Sequence, residues 1–142
     1  LGTSAASVNG NVLANTIIGN SGSNVINGGA GSDRLTGGAS ADFFVFSTYP
    51  TASNIDHITD FQHLIDDIRL EDSIFTSLAA GNLSAANLRF GTHALDANDF
   101  IIYDRATGRI SYDANGSAAG GAVVFATVTP NLLLSAADFF VI

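Results

Sequence analysis

Apolar side chains return on a nine-residue beat through the first third of the chain. In a frame set at Gly10 the nonapeptides are GNVLANTII (10–18), GNSGSNVIN (19–27), GGAGSDRLT (28–36) and GGASADFFV (37–45). Their eighth places hold Ile17, Ile26, Leu35 and Phe44, and a degenerate preceding copy, LGTSAASVN, still puts Val8 at its eighth place. Gly10, Gly19, Gly28 and Gly37 open the four copies, and the sixth places read Asn15, Asn24, Asp33 and Asp42. A strand of about three residues with one inward side chain forms no core alone, but copies stacked on one another build a continuous apolar row. The six residues between strands must turn the chain, and glycine permits the positive φ that turning requires. A flexible Gly/Asn linker would share this composition but not the apolar beat.

Beyond the repeats the pattern changes to separate strands and turns. ADFFVFS (41–47) reads as a buried strand, and IDDIRLEDSIF (65–75) as a strand followed by a turn. SLAAGNLSAANLRFG (77–91) holds a short helical turn with Ser84 as its N-cap. DFIIYDRATGRISYD (99–113) is a hairpin, with Gly108 where a bulged turn needs positive φ. AVVFATV (122–128) is another buried strand, and LLLSAADFFVI (132–142) repeats the helical-turn-then-strand pattern. The predicted fold is all-β: a short right-handed parallel β-roll over 1–46 that continues into an antiparallel β-sandwich over 47–142, in one module spanning 1–142.

Composition sharpens this. The 142 residues carry a net charge of −8, from twelve Asp, one Glu, five Arg and no Lys. A phosphate backbone needs a basic face, so nucleic acid is not the expected partner. Asp in such excess over Glu suits turns and oxygen-rich metal sites, although an acidic solvated surface has the same composition. The absence of cysteine excludes disulfides, thiol catalysis and cysteine zinc sites. No apolar run reaches membrane-span length, and residues 1–20 show no Sec-type signal. The sequence opens on Leu1 rather than Met, which leaves room for an upstream part.

Glycine turns leave carbonyls bare. Together with Asp carboxylates they offer what Ca²⁺ takes, six to eight oxygens at roughly 2.3–2.6 Å. The repeats resemble the calcium-binding nonapeptide of RTX (repeats-in-toxin) proteins, G-G-x-G-x-D-x-U-x. Gly28–Thr36 matches that pattern at every place, and Gly37–Val45 departs from it only at Ser40. The resemblance implies two repeats per coil, with Ca²⁺ between turns of neighbouring coils. It implies ligands from Asn24, Gly28, Ala30, Asp33, Gly37, Ala39, Asp42 and Asp60. Each site would join repeats eighteen residues apart, so Asp33 faces Asn15 and Asp42 faces Asn24. One carboxylate and one amide should bind more weakly than two carboxylates. Either these coils bind calcium weakly, or Asn and glycine turns hold them without metal; one to three ions are expected. Counting eighteen on from Asp42 lands on Asp60. The strands Asp56–Phe61 and Asp67–Leu70, with Asp66 flanking, resemble the closing strands of serralysin-type rolls. Asp56 reads equally as a ligand or as a solvent-facing residue of an edge strand.

The tail words FVFS, ITDF, DDIRL, IIYDRATGRISYDANG and SAADFFVI are similar, in order, to those of RTX C-terminal modules. That resemblance implies a secreted bacterial protein, folding on calcium outside the cell. It also implies an uncleaved signal for a type I secretion exporter at Asp138, Phe139, Phe140, Val141 and Ile142. As structure, the same five residues read as a final strand with Phe and Ile buried. DANGS (113–117) reads as a plain turn, since no Glu completes an EF-hand, and the sequon Asn115-Gly116-Ser117 carries little weight. No active site emerges. His57, His63 and His93 form no metal-binding helical pair, there is no nucleophile elbow or P-loop, and Asp66 and Asp67 point to opposite faces of a strand.

The expected function is a non-catalytic calcium-binding module of a larger secreted protein, monomeric in isolation. The alternative is a carbohydrate-binding or adhesive module, like the R-modules of alginate epimerases, with extracellular polysaccharide as partner. Tyr49, Tyr103 and Tyr112 would either edge its groove or pack, but five Arg and no Lys are poor provision for an acidic glycan. A small hydrolase is the third reading, and it lacks a visible nucleophile and base.

Overall fold

The computed structural model describes residues 4–116 and 120–142, so Leu1–Thr3 of the degenerate copy and Ser117 of the sequon lie outside it. In chain order the strands are β1 (Ala6–Asn11), β2 (Thr16–Ile18), β3 (Asn24–Gly29), β4 (Arg34–Thr36), β5 (Phe43–Phe46), β6 (Asp56–Ile58), β7 (Asp67–Leu70), β8 (Gly81–Asn82), β9 (Leu88–Phe90), β10 (Ile101–Asp104), β11 (Arg109–Asp113), β12 (Ala122–Thr127) and β13 (Phe139–Val141). Odd and even strands of the repeats go to opposite sheets. One sheet runs β1-β3-β5-β7-β13-β8 and the other β2-β4-β6-β12-β11-β10-β9. This is a β-roll: each coil contributes one strand to each sheet, and within the repeats a turn of four to six residues crosses between them.

The nine-residue beat becomes two columns. In the first, Val8 pairs with Ile26, Ile26 with Phe44, Phe44 with Ile68 and Ile68 with Phe139. In the second, Ile17 pairs with Leu35 and Leu35 with Ile58. Ile26, Leu35, Phe44, Ile58 and Ile68 are fully buried. Each such side chain contributes about 1.5–3 kcal/mol by leaving water, which is why strands of three residues suffice. Phe46, Phe75, Tyr112 and Phe125 extend the same core through edge-to-face contacts at 4.9–5.2 Å.

The second half does not switch to purely antiparallel pairing. β12 lies parallel to β6, β13 parallel to β7 and β9 parallel to β10. Antiparallel pairing joins β10 to β11, β11 to β12 and β8 to β13. The two sheets of the roll therefore run straight on past residue 46, and the sandwich is built by extending them. The hairpin β10–β11 turns at Gly108, whose φ is 75° and where any Cβ would strike the Val128 carbonyl oxygen. Ser84 caps the 3₁₀ turn Ala85–Asn87 as expected, accepting from the Ala86 N–H. The final strand buries Phe139 and Val141 and turns Phe140 and Ile142 outward. Alternation on β13 thus gives Val141, not Ile142, the inward place expected for the isoleucine.

Three turns share a backbone signature. At the fourth place of 28–33, 37–42 and 61–66 stand Gly31 (φ 112°), Ser40 (φ 72°) and Leu64 (φ 62°). Ser40 is exposed, and its hydroxyl donates to the Ser21 carbonyl. Glycine there relieves a left-handed conformation that costs a side-chain-bearing residue about 1–2 kcal/mol, less what glycine loses in the unfolded chain. Ser40→Gly should hold or raise stability, by up to about 1 kcal/mol. Gly31→Ser should lower it, because a Cβ at Gly31 lies 2.9 Å from the Leu13 carbonyl carbon. Urea melts of both variants test this, and a Ser40→Gly chain less stable than Gly31→Ser contradicts it.

Candidate metal centre

The sixth-place side chains form two ladders along the turn edges of the roll. On one edge, Asp33 Oδ1 accepts the Asn15 backbone N–H at 2.7 Å and Asp56 Oδ1 accepts the Asp33 N–H at 3.0 Å. On the other, Asp42 Oδ1 accepts the Asn24 N–H at 2.7 Å and Asp66 Oδ1 accepts the Asp42 N–H at 2.9 Å. Each carboxylate thus supports the coil before it. Asp33, Asp42, Asp56 and Asp66 are all buried, although the chain has acidic residues to spare for its surface.

Only one oxygen of each repeat carboxylate is used this way. Asp33 Oδ2 and Asp42 Oδ2 are buried and have no hydrogen-bond partner among the described residues. Each folds back onto the first glycine of its own turn: a Cβ on Gly28 would collide with Asp33 Oδ2, and one on Gly37 with Asp42 Oδ2. The carbonyl oxygens of Gly28 and Gly37 press in turn against Gly10 and Gly19 of the preceding coil, again where no Cβ fits. A buried carboxylate oxygen without a partner is costly. An all-oxygen pocket of carboxylates and carbonyls suits a hard cation. Among the described residues no three His or carboxylate side chains gather at one point, so a cation here must draw most of its ligands from the backbone.

The family comparison decides which cation. Residues 9–44 match the model of the RTX calcium-binding nonapeptide repeat in four copies. This segment is a run of RTX repeats. Its cofactor is therefore Ca²⁺, and the buried Asp33 and Asp42 oxygens are donors of the kind that ion takes. No curated protein matches the chain.

Against the RTX pattern, the predicted site residues sort themselves. Asn24, Gly28, Asp33, Gly37 and Asp42 converge at the turns, all buried. Ala30 is half-buried and Ala39 exposed, its N–H facing the Asn20 carbonyl at 3.4 Å. Asp60 does not occupy the rung beyond Asp42. Its carboxylate accepts the N–H groups of Gly37 and Gly38 at 2.9 and 2.8 Å, at the start of the same turn. The spacing between coils grows from 18 residues to 23 and 24 at this point, so the rungs fall on Asp56 and Asp66. The extra length sits in the loop after β5, around Pro50 and the Thr51–Asn54 bridge. Asp66 was legible all the same. An Asp or Asn two places before an inward apolar residue recurs as Asp33-x-Leu35, Asp42-x-Phe44, Asp56-x-Ile58 and Asp66-x-Ile68.

The three histidines stand apart. His57 contacts the Thr127 hydroxyl, His93 the Thr92 hydroxyl, and His63 the Asp138 carboxylate at 2.8 Å. Asp138 is fully buried and also accepts from the N–H groups of Leu64 and Ser135, tying the last strand to the turn before β7. Tyr103 and Tyr112 are core residues whose hydroxyls bond the Leu132 carbonyl and the Ser77 N–H. Tyr49 alone of the three is exposed. No helix among the described residues is long and apolar enough to cross a membrane.

Burial makes two of these carboxylates, Asp56 and Asp66, harder to ionise. Burial pushes Asp56 up from 3.8 to about 7, and the neighbouring Asp33 charge adds to the rise against the opposing Asp33 N–H. Burial also raises Asp66, with the Asp42 and Asp60 charges adding to it. A folded pKa above the unfolded value means that the folded chain holds the extra proton between about pH 4 and 7. This contribution to metal-free stability is full below about pH 4 and lost as pH rises through about 7. In chelator the melting temperature should therefore be higher at about pH 5 than at about pH 7.5, and Asp56→Asn should lose much of that difference. Saturating calcium should shrink it, since binding displaces the proton. A chelator melting temperature that climbs with pH over this range contradicts the assignment.

Proposed function

We propose that the chain is a non-catalytic calcium-binding module of a larger secreted protein, and that calcium and folding form one equilibrium. The observation that carries this is the pair of buried, unpartnered Oδ2 atoms of Asp33 and Asp42 inside RTX turns. Asp33 and Asp42 would hold the ions through their Oδ2 atoms, with turn carbonyls supplying most of the remaining oxygens and Asp60 a second carboxylate beside Asp42. These donors are adjacent only in the folded roll, and an acidic chain of net charge −8 repels itself without metal. Extracellular modules bind at about 10⁻⁴–10⁻³ M Ca²⁺. The roll then stays loose at cytosolic calcium and closes outside. Chelation should reduce the β-signal in circular dichroism and lower the melting temperature; superimposable melts with and without chelator overturn this reading. Asp42→Ala should cost roughly 1–3 kcal/mol even in chelator, because Oδ1 carries the Asn24 rung, and more in calcium; calorimetry should find fewer ions or weaker binding than in the parent.

The secretory part of the reading rests on the segment Asp138–Ile142, an acidic residue followed by four apolar ones. In the cell this segment is available to a type I exporter; outside it docks as β13. The two roles would then fall on alternate residues of β13. Phe140 and Ile142 face outward, at 37% and 38% exposure, whereas Phe139 is core. Phe140→Ser with Ile142→Ser should cut export of a fused reporter while barely moving the melting temperature. Phe139→Ser should lose about 3 kcal/mol of stability. Unchanged secretion of the Phe140/Ile142 double variant removes the export role. The polysaccharide alternative loses Tyr103 and Tyr112 to the core, which leaves Tyr49 as its one exposed tyrosine.

A further inference from the structure

The roll contains two kinds of turn. In 28–33 and 37–42 the second place is a glycine at positive φ, Gly29 at 88° and Gly38 at 111°. In 10–15 and 19–24 the second place is Asn11 or Asn20, neither at positive φ. These asparagines turn the chain by another device: Asn11 Oδ1 accepts the Leu13 N–H at 2.8 Å and Asn20 Oδ1 accepts the Gly22 N–H at 2.7 Å. Such Asx turns supply from a side chain the closure that glycine supplies from its backbone.

The 19–24 turn goes further. The side-chain nitrogen of Asn24 lies among four oxygens: Asp42 Oδ1 at 2.9 Å, the Asn20 and Gly37 carbonyls at 3.4 Å each, and the Gly22 carbonyl. Asn24 is fully buried. Its own Oδ1 has no partner among the described residues. Every neighbour of the nitrogen is an acceptor, so the opposite orientation of the amide would set oxygen against oxygen on all sides. Three carbonyls and a carboxylate around one centre are the surroundings of a cation, and an NH₂ group, carrying the positive end of the amide dipole, fills it. Asn15, at the same place on the other edge, has no such cage: it is only half-buried, its Oδ1 accepts the Asn11 N–H, and its NH₂ meets Asn11 Oδ1 at 3.5 Å.

We propose that the Asn24 side-chain amide takes the place of a calcium ion between the 19–24 and 37–42 turns, so that this junction closes without metal. Asp42 is then shared between two regimes. Its Oδ1 serves the metal-free junction with Asn24, while its Oδ2 is left for calcium. The inference rests on the calcium reading for the neighbouring turns, but its central test needs no metal. A roll with one permanently closed junction has a template on which the calcium-dependent coils assemble.

The test is Asn24→Asp beside Asn15→Asp, with melting temperature measured in chelator and bound calcium counted by equilibrium dialysis. In chelator Asn24→Asp should melt about 5 °C or more below the parent, because a carboxylate replaces the donor amid four acceptors. Asn15→Asp should melt close to the parent. With calcium, Asn24→Asp should recover and bind one ion more than the parent. Asn24→Ala should lose stability in chelator and bind no additional ion. Should Asn24→Asp not fold in chelator at all, its ion count after refolding in calcium decides. The proposal is overturned if Asn24→Asp melts with the parent in chelator, or if Asn24→Ala binds one ion fewer than the parent, which would make Asn24 a ligand. Failure of the calcium reading looks different: the parent binds no calcium, while the chelator comparison still reports on Asn24.

Discussion

The structure depends on one recurring hydrogen bond, from the backbone N–H at the sixth place of a turn to the side-chain oxygen at the sixth place of the next coil. Asn15 to Asp33, Asn24 to Asp42, Asp33 to Asp56 and Asp42 to Asp66 all make it, at 2.7–3.0 Å. Stacked strands of three to six residues share few ladder bonds, and the columns of Ile, Leu and Phe between the sheets fix the distance between layers but not the register along the turns. The side-chain rung fixes that register. It requires a short side chain with an acceptor oxygen, hence Asp or Asn. It also brings successive backbones so close that Gly10 and Gly19 face the Gly28 and Gly37 carbonyls with no room for a Cβ.

That solution creates an electrostatic problem. A rung uses one carboxylate oxygen and buries the other, and successive rungs set Asp33 near Asp56 and Asp42 near Asp66. Asp56 is raised to about 7, first by its burial and then by the Asp33 charge beside it. Three remedies coexist in this one roll. Calcium suits the unpartnered oxygens of Asp33 and Asp42. An amide nitrogen fills the cage at Asn24. Backbone N–H groups satisfy Asp60 at Gly37 and Gly38, Asp66 also at Gln62, and Asp138 at Leu64 and Ser135. The last of these joins the C-terminal strand to the end of the repeat array, so the roll and the docking of β13 are mechanically linked.

Much of this was readable from residue types alone. Period nine predicted the roll, its inward row and the place of the carboxylates, because that row and the turn glycines come from local chemistry repeated. The Gly108 hairpin and the Ser84 cap were legible for the same reason. What was hidden is whatever depends on distant pairing or on loop length. The loop after β5 shifts the rungs from an 18-residue to a 23- or 24-residue spacing, so counting from Asp42 reaches Asp60 while the fold reaches Asp66. Leu64 at positive φ gives no signal in composition. The parallel pairing of β12 with β6 and β13 with β7 spans some 70 residues that no local pattern registers. The cage around Asn24 needs Gly37 and Asp42 from the next coil before it exists.

The central claim is that this roll divides its turns between metal and amide. Anomalous scattering from crystals grown in calcium tests it most directly. The account predicts calcium peaks beside the Oδ2 atoms of Asp33 and Asp42, with the Asn24 amide nitrogen still inside its four-oxygen cage and no peak in its place. An ion within the Asn24 cage, or no ion at either aspartate, would contradict it.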